Sequence, residues 1–121
     1  MRIVVIFLLL LASQLAVAGA DYVREKKWAD ELIPGIMIGE PVFLELSQGH
    51  KFLSILTEVK DAKLAVVVVH GIGIHPDWNM VGTLRTQLAE SNYTTLSVQM
   101  PVLANDAKSA AYLPLFPEAV E

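Results

Sequence analysis

The chain has 121 residues, 54% of them apolar, no cysteine, and nine basic side chains against thirteen acidic ones, a formal charge of −4. A net acidic surface argues against a nucleic-acid partner, because phosphate contacts need a basic face. The lack of cysteine excludes a disulfide framework and a cysteine-linked lipid anchor, and the length allows one domain at most, or part of one.

The first twenty residues, MRIVVIFLLLLASQLAVAGA, run from a single basic residue, Arg2, through an unbroken apolar stretch to small residues at Ala16-Val17-Ala18 and Ala18-Gly19-Ala20. That order predicts a signal peptide over residues 1–20, cleaved after Ala18 or Ala20, and hence a periplasmic or secreted protein. The apolar run is shorter than the ~20 residues that span a bilayer, so no stable membrane anchor is expected after cleavage.

Residues 21–39 form a polar leading segment, with Tyr22, Trp28 and Leu32 as sparse apolar points before Ile33-Pro34-Gly35; it reads as a short helix or irregular stretch. Trp28 is expected to pack under it. From Glu40 to Val59 two apolar-rich runs, PVFLEL and KFLSILTEV, flank Ser47-Gln48-Gly49-His50. This pattern predicts a β-hairpin, with His50 solvated in its loop. Lys60 to Lys63 then make a polar connection.

Leu64 to Val69, LAVVVV, shows no alternation, which predicts a strand covered on both faces inside a parallel sheet. The loop HGIGIHPDW follows. Beyond it Trp78, Val81, Leu84 and Leu88 recur at spacings of three and four, one face of a helix, with Asp77 as its N-cap and Ser91-Asn92 as its stop. Thr94 to Pro101 alternates Leu96, Val98 and Met100 with Thr95, Ser97 and Gln99. Strand, helix and strand form a βαβ unit whose crossover is expected to be right-handed.

Val102 to Glu121 begins as loop and ends in LFPEAVE, where Pro117 and Glu118 look like the start of a helix. A helix with a start and no body cannot offset its own nucleation. LAVVVV also needs a neighbour on each side, and only the strand at Thr94 offers one. Both points lead us to expect a partial domain over residues 40–121, the front of a longer protein.

The chemistry, if any, lies in the loop. His70-Gly71-Ile72-Gly73 follows a strand and precedes a helix, where α/β folds place ligand sites. Glycines there let backbone N–H groups aim at developing negative charge, which is what an oxyanion hole requires. The reading assigns the donor to the backbone N–H of Ile72, loop shape to Gly71 and Gly73, and support to His70. Other readings of the same residues are a dinucleotide fingerprint, in which Pro76 stands where the third glycine belongs, and a phosphate loop, for which no Lys-Ser/Thr pair follows. A metal set of His70, His75 and Asp77 has a spacing not expected to converge. A purely structural turn, with His70 bonding backbone, Asp77 capping and Trp78 packing, remains open as well. Asn92-Tyr93-Thr94 spells a glycosylation acceptor, meaningful only in a eukaryotic secretory pathway. No cofactor or metal site is otherwise indicated.

His75-Pro76-Asp77-Trp78, Leu84-Arg85 and Thr95-Leu96-Ser97 together resemble a family of exported bacterial proteins of unknown function with an α/β-hydrolase-like core. The resemblance covers about Glu40 to Glu121 and also implies a signal peptide. It makes the hairpin the first two strands, LAVVVV the third and TTLSVQM the fourth, with LFPEAVE opening the helix toward a nucleophile strand. Such a hydrolase needs Gly-x-Ser-x-Gly, then an acid and a histidine, and none of the seven glycines is followed two positions later by serine. The expected function is therefore the N-terminal part of an ester or acyl hydrolase, inactive alone, acting in full-length form on a small acyl or ester substrate. The alternative is a small exported binding protein with a structural glycine turn, completed at its strand edge by a partner or by self-association.

Overall fold

The computed structural model describes residues 19–121; the leader expected over residues 1–20 lies outside the described residues except for its last two. The polar leading segment is a helix, α1 (Tyr22–Leu32), followed by a 3-10 turn at Ile33–Gly35. Asp21 starts it as a capping residue, its carboxylate accepting from the Arg24 N–H at 3.0 Å. Lys26–Asp30 and Lys27–Glu31 pairs line its exposed side, where each is worth little. Long-range bonds hold α1 down. The Asp21 N–H donates to Val102 O at 2.6 Å, and Arg24 donates to Leu103 O and to Asn105 Oδ1 while stacking over the Trp28 ring.

β1 (Glu40–Glu45) and β2 (Lys51–Thr57) pair antiparallel with Pro41 opposite Ile55 and Phe43 opposite Leu53, the predicted hairpin. β3 (Ala65–Val69), α2 (Met80–Glu90) and β4 (Thr94–Val98) follow, and β3 and β4 are parallel neighbours, the predicted strand, helix and strand. β4 also pairs antiparallel with β2, giving a mixed α/β sheet of order β1-β2-β4-β3. Asn92 ends α2 in the left-handed conformation, φ 70°, as its sequence suggests. A second 3-10 stretch, Ser109–Leu115, runs into the four-residue α3 (Phe116–Ala119). There Tyr112 and Leu115 bury against Leu103. Among the described residues no helix is long and apolar enough to cross a membrane.

Two expectations about burial are corrected, for β3 and for the helix face, and β4 shows which of its two faces is inward. Among the described residues β3 is an edge strand, not an interior one: Val68 is buried, but Val67 and Val69 are 60% and 58% exposed. Continuous apolar sequence reports what a strand tolerates on each face, and here only the face shared with Thr95 and Ser97 is covered. In β4, whose alternation left the inward face open, Thr95, Ser97 and Gln99 are the buried positions, whereas Leu96 and Val98 are half-buried. On α2 the inward positions are Val81 and Arg85, while Trp78 and Leu84 are largely exposed.

One face of the sheet therefore carries Leu53, Ile55, Thr57, Val68, Thr95 and Ser97 beneath α2, with α1 alongside, where Ala29, Phe43 and Leu53 share a cleft. The opposite face carries Val42, Leu44, Phe52, Leu56, Leu96, Val98, Val67 and Val69 in register, half-buried or exposed throughout. Ser54 is the exception on that face. It is wholly buried between its strand neighbours Val42 and Val98, and its Oγ has no hydrogen-bond partner.

Candidate functional site

The loop from His70 to Asn79 joins β3 to α2 at the carboxyl end of the parallel pair. His70 is buried, and both its ring nitrogens are engaged. Its Nδ1 bonds Gly71 O at 2.8 Å, and its Nε2 accepts from the Met100 N–H at 2.9 Å and from Gln99 Nε2 at 3.2 Å. Two donors facing Nε2 fix the proton on Nδ1. Burial also pushes the imidazole pKa below its ordinary value, against the opposing pull of the Gly71 carbonyl. With both ring nitrogens engaged, His70 ties the start of the loop to Met100 and Gln99.

The loop it holds is open. The Ile72 side chain is 54% exposed, and Gly73 has φ 75°, where a side chain would be strained. Among the described residues no hydrogen bond uses the N–H of Gly71, Ile72 or Gly73 as donor. Ile72, Gly71 and His70 line one side of a cavity of about 150 Å³ whose other side is Tyr112, Leu115 and Phe116. The Tyr112 hydroxyl is itself used, accepting from the Leu103 N–H at 3.1 Å.

The His-Pro-Asp-Trp block has a different character. Pro76 is wholly buried, and its carbonyl accepts from Ser97 Oγ at 2.7 Å. His75 sits edge-on between Trp28 and Trp78, with centroids 5.6 and 5.3 Å away, so Trp28 does pack. Burial pulls the His75 pKa down, with Asp77 opposing. Asp77 is not the N-cap of α2; that position is Asn79, whose side chain makes no capping bond. Instead the Asp77 carboxylate takes Arg85 Nε at 2.8 Å and Nη2 at 2.7 Å. Arg85 also donates to Ile38 O at 2.6 Å. Gly82 makes this possible, since a Cβ there would lie 2.8 Å from Asp77 Oδ1 and 2.9 Å from Asp77 O. The Leu-Arg and His-Pro-Asp-Trp motifs thus interlock as structure. His70, His75 and Asp77 do not converge, and among the described residues no group of three or more histidines and carboxylates is placed to hold a metal.

A second polar cluster escaped the sequence reading. His50 is not solvated: its ring stacks on Tyr22 with centroids 3.5 Å apart, and its Nε2 bonds Glu25 Oε2 at 2.9 Å. Glu25 is buried and also takes the Val102 N–H at 3.4 Å. Burial raises its pKa, with His50 pulling the other way. The Tyr22 hydroxyl donates to Glu118 Oε1 at 2.9 Å. Glu25, His50 and Glu118 border a cavity of about 110 Å³, and with Tyr22 they clasp α1, the hairpin loop and α3 together. The only sequence signal was Glu25 one helical turn from Tyr22, which cannot name a partner twenty-five residues away.

No protein-family model matches the chain, and neither a curated protein nor a solved structure matches it.

Proposed function

We propose that the chain is the oxyanion-loop portion of an exported α/β-hydrolase-like protein that cleaves an ester or related acyl bond, with Ile72 N–H as one donor to the oxyanion. The observation that carries this reading is the loop itself: His70, with its ring nitrogens tied to backbone and to Gln99, braces a turn whose Gly71, Ile72 and Gly73 amides donate to nothing among the described residues, and Gly71 and Ile72 line a cavity. Fixed, unspent donors are what stabilises a tetrahedral intermediate. The free edge of β3 supports the same reading, since a parallel edge strand of this composition asks for a further strand. With no Gly-x-Ser-x-Gly in its sequence, the chain supplies no nucleophile of its own and is inactive alone.

Sequencing the gene past codon 121 tests the proposal directly. A continuing frame with Gly-x-Ser-x-Gly within a few tens of residues supports it; an immediate stop removes hydrolysis as the function.

The same free edge, with Val67 and Val69 exposed, favours a second reading: a small exported module whose sheet is completed by a partner or a second copy. Sedimentation and thermal unfolding separate the two. A monomer with a sharp cooperative transition at micromolar concentration supports the self-sufficient module, and a poorly folded or aggregating chain supports the hydrolase portion.

A further inference from the structure

Resting on the oxyanion reading above, we propose that the cavity beside Ile72 binds the acyl part of the substrate, and that this part is an unbranched aliphatic chain of about six carbons. The cavity's size and its lining both support this. At about 150 Å³ it is well below the ~300 to 1,000 Å³ of sites for drug-sized ligands and close to the volume of an apolar cavity that holds one benzene. Its far wall is Leu115, Phe116 and Ala119, with Tyr112, whose hydroxyl accepts from the Leu103 N–H and keeps a single proton to donate. The other three side chains offer no hydrogen bond to a polar acyl group, and burying polar atoms against them without partners costs free energy.

The polar end lies on the near wall, where the unspent Gly71 and Ile72 amides can receive a carbonyl or carboxylate oxygen. With an oxygen bound at those amides, the acyl chain on the same carbonyl carbon is the group assigned to the cavity. Tyr112 and Leu115 are buried and packed on Leu103, so this end of the cavity is fixed. Phe116, 54% exposed, and Ala119 form its adjustable rim.

Titration of the full-length chain with butanoate, hexanoate, decanoate and 1-hexanol, followed by amide NMR shifts, tests the proposal. Hexanoate is expected to move the Ile72 amide together with Leu115 and Ala119. Each methylene added up to six carbons should tighten binding about fourfold, with no further gain in decanoate. Ala119→Phe should erase the dependence on chain length, and Phe116→Ala, which opens the rim instead of filling it, should extend the gain beyond six carbons.

Affinity that rises unchecked through decanoate, or chain-length dependence unmoved in both variants, overturns the proposal. Equal affinity for butanoate and hexanoate, with the Ile72 amide shifted by both, overturns it while leaving the oxyanion reading intact. Equal binding of 1-hexanol and hexanoate, with the Ile72 amide unmoved, removes both.

Discussion

The two faces of the sheet are closed in different ways. The face under α2 buries the polar Thr57, Thr95 and Ser97 among Leu53, Ile55 and Val68, with Arg85 of α2 set against them, and the face away from it leaves Val42, Leu56, Leu96, Val67 and Val69 half-buried or exposed. Burial of the polar face works because almost every polar atom there has a partner: Ser97 Oγ meets Pro76 O, Thr95 Oγ1 meets Arg85 O at 3.4 Å, and Arg85 meets Asp77, Ile38 O and Thr57. The apolar face needs no such matching, only coverage. The first kind of surface is completed from within these residues, and the second accepts any close-fitting apolar layer.

Breaking the polar face should have the largest effect. Arg85→Ala strands the Asp77 carboxylate and the Ile38 carbonyl, and is expected to cost about 3 kcal/mol or more, read as a lower denaturation midpoint. Because domains of this kind have ~5 to 15 kcal/mol in total, partial unfolding at room temperature is a compatible outcome. An unchanged midpoint would show that the pair contributes nothing to the fold.

Acid should weaken the same face through His70. Folding holds this imidazole neutral, with its pKa below the ordinary 6.5, so in the window just below that value the unfolded chain binds a proton that the folded chain does not. Stability is complete above about pH 6.5 and declines as the pH falls below it. His75 shifts in the same direction, whereas Glu25, raised by burial, opposes the decline. His70→Gln keeps an acceptor for the Met100 N–H and removes one titrating group. A shallower loss of stability between pH 7 and 5 is expected, measured by urea denaturation, and an identical profile would discount His70.

On the apolar face the expected changes are small. Ser54→Ala removes a buried hydroxyl without a partner and should be neutral or stabilising by up to about 1 kcal/mol; a loss larger than that would mean the hydroxyl is satisfied after all. Val67→Lys combined with Val69→Lys should leave unfolding of the monomer within about 0.5 kcal/mol, because both side chains already point outward. Light scattering should nonetheless report less self-association, since charge blocks an edge strand. A large stability loss from this pair would indicate that the face is covered in solution.

The sequence made some of this legible and hid the rest for identifiable reasons. The hairpin at Glu40–Thr57, the helix before Asn92 and the parallel pairing of LAVVV with TTLSV were readable because periodicity and turn residues are local signals. The orientation of β4 was not. An alternation of period two defines two faces without saying which is inside, and the choice depends on acceptors supplied by Pro76, Arg85 and His70. Asp77 looked like a cap because it precedes an apolar period, yet a buried arginine eight residues on competes for it and wins with two charge-assisted bonds. His50 looked solvated because its partners, Tyr22 and Glu25, belong to a different element. In the loop, residue type and place pointed to His70, Gly71, Ile72 and Gly73, while the cavity beside them depends on Tyr112, Leu115 and Phe116, in a stretch read as loop before a helix start.

The bridge from His70 to Met100 also acts as a gauge of alignment between β3 and β4. Sliding β4 by one residue would carry the Met100 N–H about 3.3 Å along the strand, beyond reach of the imidazole, and Gln99 would move with it. Mispairing of the sheet and collapse of the Gly71–Gly73 turn are therefore one event, so damage to strand alignment far from the loop would register there as lost ligand contacts.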